Sequence, residues 1–316
     1  MQKRTLGNTG LEVSPLTLGG NVFGWTIDEK KSFEILDEWV ASGFNFVDTA
    51  DSYSSWVPGN RGGESESIIG NWTKKQGNRN KLIIATKLGS EMGPGKKGLS
   101  KKYILEAAEA SLRRLQTDYI DLYQSHWPDP QTPYEESLEA YAQLLKQGKV
   151  RAIGASNFSA RQLTDSLEAA GKNGLPAYQT LQPLYNLYDR SVFENELETI
   201  CVDNNIGVIN YYALASGFLT GKYRTESDLS KSARGGGVGK YLTERGLRIL
   251  KALEEVAARY NSAVASVSIA WLLTRPAVSA PIASATSSEQ LKELTKAVEL
   301  QLDKNAVELL DTASAE

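Results

Sequence analysis

Asp48, Lys87 and His126 stand at equal intervals of 39 residues. Each follows a stretch that reads as a buried strand. Phe44-Asn45-Phe46-Val47 precedes Asp48, Leu82 to Thr86 precedes Lys87, and Tyr119 to Ser125 precedes His126, the only histidine. Tyr53 lies in the loop after Asp48. A free phenol has a pKa of ~10, too high to trade protons readily near neutrality. A neighbouring ammonium favours phenolate and lowers that value. Lys87 is therefore expected to acidify Tyr53, Asp48 to hold Lys87, and His126 to polarise a carbonyl or assist proton transfer. Such a set moves a proton to or from oxygen while another agent changes the carbon. Singly, each residue has a plainer reading: a strand-end Asp makes turns, a lone Lys is solvated, and a His before Trp-Pro is structural. Their conjunction at even spacing favours chemistry, because independent accidents multiply.

A repeat of that length holds one strand and one helix, which suits a (β/α)8 TIM barrel whose active site gathers at the C-terminal ends of the strands. Residues 4–14, around Asn8-Thr9-Gly10, read as an N-terminal β-hairpin able to plug one end. Barrel strands are expected at 16–19, 44–47, 82–86, 119–124, 150–154, 178–182, 207–211 and 278–282. Asp28, Ser100 and Pro133 open helices between them. Helices are also expected at 193–204, 247–260, 266–273 and 288–298, with an extra C-terminal helix at 305–313. Residues 214–241 interrupt the rhythm. They contain Arg234-Gly235-Gly236-Gly237-Val238-Gly239, which reads as a mobile stretch of the kind that forms lids. Residues 1–316 read as one domain.

The chain has 316 residues, 23% charged and 41% apolar, with a net charge of −3. That composition argues against disorder and offers no electrostatic case for nucleic acid or an anionic membrane as partner. The single Cys201 can make no internal disulfide. The first residues lack the apolar stretch of a signal peptide, and no run approaches the ~20 residues of a membrane span, so a cytoplasmic protein is expected. One histidine and one cysteine make a zinc site of such ligands improbable, and no metal is expected.

Together, Arg4-Thr5-Leu6-Gly7, Asp48-Thr49-Ala50 with Tyr53, Ala85-Thr86-Lys87, Tyr119-Ile120-Asp121-Leu122 leading to His126, and Ile153-Gly154-Ala155-Ser156-Asn157-Phe158 resemble the aldo-keto reductases. The likeness is to the bacterial branch related to potassium-channel β subunits. The order is kept over nearly the whole chain. The resemblance implies NADPH bound to a barrel and reduction of aldehydes or ketones by hydride transfer, with Asp48, Tyr53, Lys87 and His126 as tetrad and Tyr53 as general acid. It implies that Ser156, Asn157 and Gln182 hold the nicotinamide amide, for which their donors and acceptors are suited. It places Tyr211 under the ring, and Leu214, Ser216, Gly217, Leu219, Gly221 and Lys222 over the pyrophosphate. Gly20 and Asn21 border the nicotinamide and substrate. Ser284, Ala285, Thr286 and Gln290 occupy the adenosine end, where relatives commonly carry Arg or Lys, and Leu294 stands where an asparagine is frequent. NADH is therefore possible, and Lys222 or Arg224 is a candidate to compensate.

Trp25, Trp56 and Trp127, with Tyr53 and Tyr212, are expected to line a substrate pocket suited to a ring or a sugar face. Asp129 is expected to form a turn. No Gly-x-Gly-x-x-Gly or P-loop spacing is present. Two alternatives compete with the enzyme reading. One is a cofactor-binding regulatory or redox-sensing module. The other is a cofactor-independent TIM-barrel hydrolase, which would need facing carboxylates at strand ends. The oligomeric state is not legible in the sequence.

Overall fold

The structure, a computed structural model, describes residues 1–315. Two short strands, β1 (Arg4–Thr5) and β2 (Glu12–Val13), pair antiparallel around a 3-10 turn closed by Gly10 in the left-handed region, at φ 70°. Eight further strands follow: β3 (Thr17–Gly19), β4 (Phe46–Asp48), β5 (Ile83–Leu88), β6 (Ile120–Ser125), β7 (Val150–Ser156), β8 (Thr180–Gln182), β9 (Gly207–Val208) and β10 (Ile282–Ala283). All are parallel, in the order β10-β3-β4-β5-β6-β7-β8-β9. The ring closes where Val208 N–H donates to Ala277 O (3.1 Å) and Ile282 N–H donates to Asn210 O (2.9 Å). The architecture is a (β/α)8 TIM barrel with an N-terminal hairpin.

Helices α1 (Glu29–Ala41), α2 (Glu64–Gln76), α3 (Lys101–Leu115), α4 (Tyr134–Lys146) and α5 (Ala160–Asn173) alternate with the first strands. Most start where a side chain satisfies a free backbone N–H. Asp28 caps α1, Ser100 caps α3, and Ser159 with Gln162 forms a reciprocal capping box on α5. The expected helix 193–204 is instead two pieces, α6 (Ser191–Glu194) and α7 (Leu197–Asp203), broken at Glu196 where φ reaches −137°. Helices α8 (Glu244–Arg259), α9 (Val264–Leu273), α10 (Ser288–Lys296) and α11 (Lys304–Ser314) complete the ring and its C-terminal extension. Strand eight is shorter than expected, touching β9 by one bridge at Val278 before β10 begins at Ile282.

The 214–241 segment also departs from expectation. It is not structureless but a succession of 3-10 turns, with Tyr223, Val238 and Tyr241 fully buried. Gly235 permits this packing, since a Cβ there would meet Leu229 O at 1.7 Å. No helix among the described residues is long and apolar enough to cross a membrane.

The barrel interior is divided by height. Leu6, Leu11 and Val13 of the hairpin enter one end and join Phe46, Ile83, Ala85, Leu122, Ala152 and Ile209 in an apolar plug. Gly7 fits its turn against the sheet end, where a Cβ would lie 2.4 Å from Gly207 N. Above the plug the inward residues turn polar: Asp48, Lys87, Gln124 and Gln182, all buried. The apolar plug lies between this polar layer and the hairpin end of the barrel.

Candidate active site

Asp48 ends β4, Lys87 lies on β5, and His126 follows β6. In the parallel register Asp48 pairs with Ala85 and Lys87 with Gln124, so each residue of the series lies two positions further along its strand than the pairing partner of the one before. Lys87 is fully buried, and its Nζ donates to Asp48 Oδ1 (2.8 Å), Asp48 Oδ2 (2.7 Å) and Thr49 O (2.7 Å). An ammonium has three N–H donors, and all three are used. Asp48 Oδ1 also accepts from Gln182 Nε2 (2.9 Å) and Gln124 Nε2 (3.4 Å), while Tyr53 OH donates to Oδ2 at 3.3 Å. The Lys87 ammonium lies 4.7 Å from the centre of the Tyr53 ring. Burial holds the Lys87 pKa below its ordinary value against the opposing pull of Asp48.

This geometry corrects one expectation. The Tyr53 pKa lies well above the ordinary phenol value, because of burial first and then the charge and hydrogen bond of Asp48. Lys87 does not acidify the phenol in this arrangement, because both Asp48 oxygens neutralise its charge. The group that favours phenolate is Arg234, part-buried at the mouth. Its guanidinium lies 5.6 Å from the Trp25 ring and donates to Asn21 Oδ1 at 3.4 Å. His126 Nδ1 sits 3.1 Å from Ser90 Oγ, and burial, reinforced by Lys87, lowers the imidazole pKa to about 3. The ring is therefore neutral at ordinary pH.

The residues expected to hold a nicotinamide form one bonded chain. Ser156 Oγ donates to Gln182 O (2.9 Å), Asn157 Nδ2 donates to Ser156 Oγ (3.2 Å) and His126 O (2.9 Å), and Tyr211 OH donates to Asn157 Oδ1 (2.8 Å). Asn157 adopts φ 62°, a left-handed conformation that asparagine tolerates. Further along, Ala215, Ser216 and Gly217 are all left-handed, at φ 47°, 58° and 98°. Consecutive residues of this kind cost of order 1–3 kcal/mol each for the non-glycines and cluster at ligand clamps. Lys222 Nζ lies 3.6 Å from the position a Gly217 Cβ would take. Leu219 is fully buried, whereas Ser216 and Gly217 are part-buried and Lys222 is exposed. Leu214 likewise packs against the core.

At the far end Ser284 Oγ donates to Asn21 Oδ1 at 2.6 Å, joining the loops after β10 and β3. Gly19 leaves room for that contact, since a Cβ there would meet Ser284 Oγ at 2.6 Å. Gly20 carries the same loop on, Ala285 is buried, and Gln290 Oε1 turns back to accept from Thr286 N (2.9 Å) and Oγ1 (3.1 Å). Gln290 thus closes its own loop. Arg224 is paired with Glu254 of α8 at the surface.

The tryptophans do converge. Trp25 and Trp56 meet edge to face at 5.4 Å, Trp56 lies 6.2 Å from Tyr53, and Trp127 stacks on His126 at 5.8 Å. Tyr212 packs on Tyr211 at 5.2 Å. Asp129 forms the expected turn, with Oδ2 accepting from Leu99 N and Thr132 Oγ1, each at 2.8 Å. Sequence reasoning passed over Gln124, Ser90 and Arg234. Gln124 carried a usable signal: it stands two residues before His126, a strand period that puts both on one face. Arg234 carried none, because only the folding of a glycine-rich loop brings it to Asn21.

The sequence profile of the "Aldo/keto reductase family" matches residues 15–315. The "Uncharacterized oxidoreductase YrpG" of Bacillus subtilis is 37% identical, covering 98% of this chain and 95% of its own. A "Probable voltage-gated potassium channel subunit beta" of Arabidopsis thaliana is 35% identical over 95% and 92%. The "Aldo-keto reductase YhdN" of Bacillus subtilis is 34% identical over 94% and 88%. With match and geometry agreeing from the first barrel strand to the last helix, the chain belongs to the aldo/keto reductase family, whose chemistry is NAD(P)H-dependent oxidoreduction of carbonyl compounds.

Proposed function

We propose that this protein reduces small aldehydes or ketones to alcohols with NADPH, and that Tyr53 is the general acid. The observation that carries this reading is the meeting of two sets at one barrel mouth: the Asp48–Lys87 pair with Tyr53 and His126, and the chain Gln182–Ser156–Asn157–Tyr211. The second set fits a nicotinamide. Asn157 Oδ1 and Gln182 Oε1 keep acceptor capacity for a carboxamide N–H, Tyr211 offers a flat face, and the left-handed turn at Ala215–Gly217 a place for phosphate beside Lys222. Arg234, which donates to the same Asn21 oxygen as Ser284, is a cation for a cofactor phosphate beside the 284–290 loop, which has no Lys or Arg of its own.

A reduced nicotinamide, when bound, supplies the hydride that turns C=O into C–O⁻. The chain's residues handle the oxygen. His126 is neutral, so its ring N–H donates a hydrogen bond to the carbonyl without adding charge. With Ser90 on Nδ1, Nε2 is the nitrogen left for that bond. Tyr53 turns its O–H from Asp48 to the substrate and gives up its proton. An alkoxide is more basic than a phenolate, so the transfer runs downhill even from a weakly acidic phenol. The phenolate left behind is favoured by Arg234, the cation that already opposes the upward shift of Tyr53. Trp25, Trp56 and Trp127 form the wall for the rest of the substrate.

Parallel fluorescence titrations with NADPH and NADH, followed by turnover with small aldehydes, test this. Tight NADPH binding with rapid NADPH oxidation is expected. Retention of cofactor without turnover would favour a regulatory module instead.

A further inference from the structure

One hydrogen bond at the mouth decides what the imidazole can do. His126 is the only histidine of the chain, and burial keeps its ring neutral. A neutral imidazole has a single N–H, and the nitrogen that lacks it can only accept. The backbone fixes where the ring sits: His126 N–H donates to Leu88 O (2.8 Å), and Asn157 Nδ2 donates to His126 O (2.9 Å). Trp127 lies nearly parallel to the ring, at 5.8 Å and 16°. None of these contacts chooses between the two nitrogens. The one side chain among the described residues that hydrogen-bonds the ring is Ser90, with Oγ 3.1 Å from Nδ1.

Ser90 is held there from two sides. Strand β5 ends at Leu88, and Gly89 turns the chain at φ 106°, a conformation that favours glycine. Gly98 N–H donates back to Gly89 O at 3.1 Å, which closes the loop 89–98. Asp129, in the turn after His126, takes Leu99 N–H on Oδ2 at 2.8 Å. Gly98 lets it approach, since a Cβ there would meet that oxygen at 2.4 Å. The turn after the histidine thus grips the loop that carries the serine. The Ser90 hydroxyl has no other partner among the described residues, so its proton is free for Nδ1. No other donor competes: the Lys87 ammonium is fully committed, and Tyr53 OH donates to Asp48. A carbonyl oxygen only accepts, so the nitrogen facing it must be the one that carries the proton.

We propose that Ser90 is a positioning residue for carbonyl reduction: its hydroxyl donates to His126 Nδ1, which holds the ring proton on Nε2 and makes that N–H a stronger donor to the substrate oxygen. The strengthening is polarisation along a chain of hydrogen bonds, since a ring nitrogen that accepts one draws electron density from the other. The consequence for turnover rests on the reductase reading above; the position of the ring proton in the free protein does not.

The test begins with cofactor-free protein labelled with nitrogen-15 in its single histidine, so that nitrogen NMR reads both ring nitrogens with no other imidazole present. Near neutral pH wild type should show the proton on Nε2 and an unprotonated, hydrogen-bonded Nδ1. Ser90→Ala should move the Nδ1 signal to that of a free acceptor and draw the two nitrogen signals together as the second tautomer appears. Ser90→Thr, which keeps the hydroxyl, should restore the wild-type spectrum. In turnover, Ser90→Ala should lower kcat for a small aldehyde about 3- to 10-fold, the rate equivalent of one neutral hydrogen bond. Aldehyde KM, NADPH affinity and Tm should stay close to wild type, and Ser90→Thr should recover the rate. A proton on Nδ1 in wild type, or a Ser90→Ala spectrum identical to it, overturns the proposal. A shifted spectrum with kcat unchanged overturns its link to catalysis, as does a fall in kcat matched by losses in Tm and NADPH affinity. Absence of any wild-type turnover, with the proton held on Nε2 by Ser90, counts against the reductase reading and leaves Ser90 supported as the partner of His126.

Discussion

Lys87→Met separates two ways of reading the Asp48–Lys87 pair. In the structure the pair is closed off: Lys87 is 0% exposed and Asp48 1%, with N···O contacts of 2.7 and 2.8 Å. Breaking a buried ion pair by removing one partner costs about 3–5 kcal/mol, most of it from the charge left without its counterion. Asp48 would keep Gln182, Gln124 and Tyr53 as neutral donors, which places the loss near the low end, about 3 kcal/mol. For a chain of this size that lowers Tm by roughly 4–5 °C. Asp48→Asn should cost a similar amount, since it leaves the ammonium facing an amide. The double variant leaves neither charge, so it should cost little more than either single, giving a coupling energy of about 3 kcal/mol. Urea unfolding of the four proteins, followed by circular dichroism at neutral pH, measures this directly. Strict additivity, or a loss under about 1 kcal/mol for Lys87→Met, would show that water or a rearranged partner relieves the charge, and the dry polar layer above the plug would be refuted.

Three further outcomes follow from the same structure. Leu6→Ala opens the hairpin plug and should cost about 2–5 kcal/mol in denaturant midpoint, because the hairpin is short and cannot collapse to refill the space. Gly154→Ala drives a methyl to 2.0 Å from Thr180 Oγ1 and 3.2 Å from Gln124 Cγ, so it should destabilise by about 1–3 kcal/mol and, by displacing Gln124, lower kcat more than it raises KM; a variant as stable and active as wild type would contradict the packing. His126 gives a pH signature. Its folded pKa, about 3, lies below its unfolded value, 6.5, so the unfolded chain binds the extra proton between them, and stability is full above about pH 6.5 and falls as pH drops toward 3. His126→Gln should flatten that part of the urea-midpoint profile by up to about 1 kcal/mol per pH unit, the imidazole being partly open to the mouth.

The sequence by itself determined the barrel and the hairpin before it, and it singled out Asp48, Tyr53, Lys87 and His126 as candidates. These rest on local and periodic signals: alternating strand and helix patterns, caps such as Asp28 and Ser159, and the even spacing of Asp48, Lys87 and His126 at the ends of successive strands. Only the tertiary structure decided where the charges balance. Whether Lys87 acidifies Tyr53 depends on how many acceptors surround its ammonium, and the carboxylate that takes two of its three donors is a strand away in space and 39 residues away in sequence. Arg234 and Ser90 were hidden for the same reason. A side chain's desolvation and the sum of the charges facing it are properties of packed neighbours, and no window along the chain contains those neighbours together.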